Sequence, residues 1–181
     1  MKSNLCILQQ NAKQLDEIFT EVDRCAAHDV LSRKRWLQLR LLAEELTGVL
    51  PSLLKWSKGV FWLENEGSRY ELHVSLNTSI GSVEQRDQLL ALSTSGKNAA
   101  AVGIMGKIRC AIERAALAKQ AENSTGVSEW TLKNYRAQAP GTQGKWNELE
   151  RSIIANLADD VIVSISKENV DITVIKTFWL D

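Results

Sequence analysis

Proline and histidine each occur only twice in 181 residues, and both shortages narrow what the chain can be. Two histidines, His28 and His73, and three cysteines, Cys6, Cys25 and Cys110, contain no pair at metal-ligand spacing, so a structural zinc has no ligand set. Nucleophile triads that need a histidine base have equally little to draw on. The cysteines are odd in number and far apart, which argues for free thiols and a cytoplasmic setting. Charge of one sign is also missing: 22 basic residues balance 22 acidic ones. That excludes a strongly basic nucleic-acid binder. No apolar run approaches the ~20 residues that cross a bilayer, and the opening lacks the apolar stretch of a signal peptide. What remains is an ordinary globular composition, 44% hydrophobic and 24% charged, in a chain long enough to bury roughly 70% of its unfolded surface.

Apolar periodicity supplies the elements. Leu15, Ile18, Phe19, Val22, Cys25 and Ala26 recur at helical spacing and predict an amphipathic helix over 13–28. After a break at 29–32, Ser32 is placed to cap a second helix. Trp36, Leu39, Ala43, Leu46, Leu50 and Leu53 form its buried stripe. The same helix carries Leu37, Leu41, Glu44 and Gly48 on another side, so two faces ask for cover and Glu44 is expected partly buried. Pro51 should kink or end this helix. Strands are predicted over 60–64 and 70–76 around a turn at 65–68, with His73 on the wet face, a solvated strand histidine. A short helix near 83–92, a helix over 104–119 and a last helix through Trp146, Leu149, Ile153 and Leu157 follow. The stretch 123–144 has no usable period and reads as a long loop. A second hairpin, 161–166 and 170–176, closes the chain, and no internal repeat is visible in the residues. Hairpins separated by helices argue for an α+β fold: a two-layer sandwich of a mixed or antiparallel sheet with helices on one face.

Phosphate-binding motifs fail on inspection. Ahead of Gly106-Lys107 and Gly96-Lys97 the first glycine of a P-loop is replaced by Ala101 and Ala91, and no Ser or Thr follows either lysine. Gly103, Gly106 and Lys107 still open a predicted helix, where free N–H groups and the dipole favour an anion. The alternative is glycines that allow close helix packing. The six tryptophans are scattered at core-compatible positions, so packing is their default role.

The stretch LDEIFTEVDRCAAHDVLSRKRWLQLRLLAEELTGVL resembles the opening of anti-sigma-factor kinases and other histidine-kinase-like ATPases of the GHKL superfamily. The resemblance implies a Bergerat-like fold with residues 1–30 as a helical segment docked on an ATP-binding domain of 31–181. It implies that Glu44 is the catalytic glutamate, that Asn77 and Gly81 stand in the adenine-binding box, and that Gly103, Gly106 and Lys107 meet the phosphates. Gly48 occupies the place of the magnesium-binding asparagine and offers no side-chain oxygen, so the resemblance supplies ATP without a magnesium ligand, unless Asn98 substitutes in an active kinase. The function so implied is an ATP-binding regulatory protein with weak or absent serine-kinase or ATPase catalysis, holding a regulatory protein partner or a second copy of itself. The alternative is a nucleotide-free protein-interaction module on a degenerate version of the same fold.

Overall fold

The computed structural model describes residues 1–9, 15–53, 56–78, 128–138, 153–166 and 169–179. The expected helices near 83–92 and over 104–119, and the start of the one through Trp146, lie outside these residues. So do Gly81, Asn98, Gly103, Gly106 and Lys107.

Among the described residues six strands form one sheet, every pair antiparallel: β1 (Cys6–Leu8), β2 (Lys58–Glu66), β3 (Arg69–Asn77), β4 (Ser128–Thr131), β5 (Asp160–Ile165) and β6 (Asn169–Thr177), in the order β1-β2-β3-β6-β5-β4. The helices among the described residues are α1 (Leu15–His28), α2 (Arg33–Leu53), α3 (Leu132–Gln138) and α4 (Ile153–Leu157). The α+β class with an antiparallel sheet and helices is therefore what the alternating hairpins and amphipathic helices produce. No helix among the described residues is long and apolar enough to cross a membrane.

Strand periodicity assigns the two faces of the sheet. One cross-strand row runs Cys6, Phe61, Val74, Ile172 and Val163, all fully or almost fully buried. This face packs against Ile18, Val22 and Cys25 of α1 and Leu39, Leu42, Ala43, Leu46 and Leu50 of α2 in a single core. Leu132 and Ile154, from α3 and α4, join the same core. Gly59 belongs to this face because a Cβ there would come within 2.7 Å of the Leu76 side chain.

Two local features depart from the sequence reading. Residues 1–30 contribute an edge strand as well as a helix, so they are built into the sheet and the core rather than docked beside them. Along this edge the pairing slips by one residue: Cys6 faces Phe61 while Lys2 faces Glu64. Asn4 sits at the slip, and its N–H and side-chain amide both bond Glu21 of α1, at 2.9 Å each. Burial alone would raise the Glu21 pKa, but the hydrogen bonds from Arg24 and Asn4 outweigh it and hold the carboxyl low. The second departure lies in the stretch 123–144, read as a loop, where β4 and α3 form. Four strand residues and seven helical ones are too few to print a period, and β4 is specified by pairing with β5. Thr131 and Asp160 cap the first turn of α3, accepting from the N–H groups of Asn134 and Lys133.

The topology also repeats where the residues do not. Strand, two helices and a hairpin (β1-α1-α2-β2-β3) recur as β4-α3-α4-β5-β6 among the described residues. Each half places its lone strand at a sheet edge, and the halves meet at β3 and β6.

The corner between α1 and α2 closes with Val30 N–H on Ala27 O and Leu31 N–H on Ala26 O, a Schellman-type cap. Val30 holds the left-handed position, φ 51°, with its side chain 87% exposed. A β-branched residue is costly there and glycine is not. Val30→Gly is expected to raise the unfolding free energy by about 1 kcal/mol, read as a higher urea midpoint in dilute protein with an unchanged slope.

Candidate functional site

Of the residues singled out as a nucleotide site, Glu44, Gly48 and Asn77 are described. Asn77 ends β3 in the row of Glu71, His73 and Ser75, which points away from the helices. Its side chain accepts from Ser57 Oγ at 3.0 Å and donates to Asn169 Oδ1 at 3.4 Å. Glu44 lies on the side of α2 turned away from the sheet and is exposed, which corrects the expectation of a partly buried carboxylate. The helix and the sheet both stand between Glu44 and Asn77, so the two do not line one cavity. Gly48 is exposed too, with nothing within 4 Å of the position a Cβ would take. Glu44 and Asn77 thus lie on opposite sides of the helix and sheet, while Gly81, Gly103, Gly106 and Lys107 lie outside the described residues.

His73 also departs from expectation. It is not a solvated strand histidine: its side chain is 16% exposed, stacked on Trp62 with ring centroids 4.8 Å apart and planes 10° from parallel. Nδ1 lies 3.0 Å from Thr173 Oγ1, while Nε2 is 3.3 Å from Glu71 Oε2 without hydrogen-bond geometry. Trp62 in turn donates to Glu64 at 2.7 Å, and Lys2 pairs with the same carboxylate. Burial lowers the His73 pKa, and the nearby Glu71 and Glu64 carboxylates only partly oppose it. The sign follows from linkage. Below its ordinary 6.5 the unfolded chain takes up this proton more readily than the folded one. Stability should therefore fall as pH drops from 6.5 through the lower folded value, then level. Urea midpoints across this window check it, and His73→Gln should remove the slope.

The surface that stands out is the outer side of α2. The inner stripe behaves as the periodicity requires: Leu39, Leu42, Ala43, Leu46 and Leu50 are buried. Trp36 is half-buried at the margin, its indole N–H on Asp23 at 2.6 Å, with Arg40 on the other carboxylate oxygen at 2.9 Å. Among the described residues the outer side is the exposed side of this helix. Leu37 and Leu41 are 41% and 39% exposed, and Arg33, Lys34, Glu44 and Gly48 share that side. The expected burial of both faces fails because the sheet can take only one. Ser32 caps this helix, accepting the Arg35 N–H at 3.4 Å, and Pro51 falls in its last turn. The first turn holds no acidic residue, and neither Lys34 nor Glu44 has an ion-pair partner within the described chain. Lys34 escaped the sequence reading, although its spacing of three from Leu37 and seven from Leu41 was there to be counted. Comparison with protein-family models, with curated proteins and with solved structures yields no match for this chain.

Proposed function

We propose that this chain is a protein-interaction module that works without nucleotide and docks a helical partner along the outer side of α2. The observation that carries this reading is the pair Leu37 and Leu41, two-fifths exposed one turn apart on the longest helix among the described residues. Apolar residues four apart form a continuous ridge, and helix-in-groove recognition reads such anchors. Gly48 extends the ridge into a flat stretch that a partner backbone can approach closely. The resemblance to histidine-kinase-like ATPases points instead to ATP binding, and a titration separates the two. ATP or ADP at ~100 times a dissociation constant would add roughly 2.7 kcal/mol of stability; the interaction module should show no melting shift with either, with or without magnesium. A photo-reactive amino acid at position 41, expressed in cells and illuminated, should give a protein cross-link that Leu37→Asp abolishes. No cross-link, or one indifferent to Leu37, would defeat the proposal.

A further inference from the structure

We infer that the partner of this α2 surface is a second copy of the chain, paired antiparallel about a two-fold axis at the level of residue 39; this rests on the interaction reading above. The outer-side positions 34, 37, 41, 44 and 48 are spaced three, four, three and four, the phasing of a coiled-coil seam. Reversed on itself about residue 39, the four positions 34, 37, 41 and 44 of this seam pair with one another. Leu37 meets the partner's Leu41, and Lys34 meets the partner's Glu44, each pair occurring twice by symmetry.

Charge decides the orientation. A parallel pair would set Lys34 against the partner's Lys34 and Glu44 against the partner's Glu44, which is repulsive at both ends. The antiparallel pair joins opposite charges, and neither charge has an ion-pair partner among the described residues. A helix as long as α2 spans about 31 Å, so the contact is smaller than a standard interface of ~1,600 Å² and the dimer should be a weak, concentration-dependent one.

Sedimentation of the full chain over a range from about 5 to about 200 μM should show monomer passing to dimer. Lys34→Glu and Glu44→Lys should each weaken association at least about tenfold, because each makes two like-charge contacts. The double reversal restores both pairs and should recover most of the affinity. Both sites are exposed, so circular dichroism of dilute protein should be unchanged in all three variants. A monomer throughout the range overturns the inference, as does a dimer indifferent to the single reversals or not recovered by the double one. The cross-link at position 41 separates this failure from that of the interaction reading. Capture of a different protein beside a monomeric chain removes only the self-pairing, whereas no capture removes both.

Discussion

Replacing Asp29 by alanine should lower the unfolding free energy by about 3 kcal/mol, as one buried donor and two further polar groups lose their acceptor together. Asp29 follows the last residue of α1, yet its carboxylate ties that corner to the first hairpin. Oδ2 accepts the Tyr70 hydroxyl at 2.6 Å and the Asn65 side-chain amide at 2.7 Å, and Oδ1 lies 2.8 Å from His28 Nδ1. Tyr70 is 2% exposed, so water cannot replace the lost acceptor without opening the core. Asp29→Asn keeps an oxygen for Tyr70 and should cost about 1 kcal/mol, a contrast that isolates the orphaned hydroxyl from the lost charge. Burial raises the Asp29 pKa, but the bonds from Tyr70 and His28 outweigh it and leave it below its ordinary 3.8. A depressed carboxylate stabilises above its unfolded value and loses that contribution as pH falls through the folded one. The alanine variant should therefore lose less stability on acidification below about pH 4 than the parent does. Urea titrations at neutral and acid pH read both effects, and equal acid limbs would contradict the assignment.

The way Asp29 works shows where sequence reading stops. Its neighbours along the chain mark a helix end and a break, which periodicity located correctly. Its partners come from β2 and β3, 36 and 41 residues away, and no local pattern announces them. Elements with a long apolar period were legible for the same reason they fold: α1, α2 and both hairpins each bury a regular stripe. β1 and β4 were not, since three- and four-residue edge strands draw their structure from the neighbour they pair with. His73 was read from alternation alone, which gave its face correctly and its environment wrongly, because Trp62 and Thr173 beside it depend on strand register. Of the residues assigned to a nucleotide site, the described ones were legible as positions on elements; their separation across helix and sheet was not, because it depends on which side of the sheet the helices occupy. The four-three spacing on the outer side of α2 was visible in the residues, but only its exposure distinguishes it from a second core stripe.

That distinction yields the other large effect. Leu46 and Leu41 lie on one helix, chemically identical and five residues apart, and differ in which side of α2 carries them. Leu46 is 1% exposed among the residues of the sheet-facing core. Leu46→Ala should cost about 3 kcal/mol, combining lost transfer energy with the cavity left behind. Leu41→Ala removes a side chain that is 39% exposed and should cost less than about 1 kcal/mol in dilute protein, since alanine is the better helix former and no cavity opens. Raising the protein concentration ought to change only the second result. Association stabilises the folded state by mass action, so the parent should melt higher as it is concentrated while the Leu41 variant should not follow. A penalty at Leu41 that is already large in dilute protein would mean that this side of α2 is covered within the monomer. A small penalty at Leu46 would mean that the helix is rotated about its axis. In either case the assignment of α2's two sides, from which the docking surface is derived, would have to be reversed.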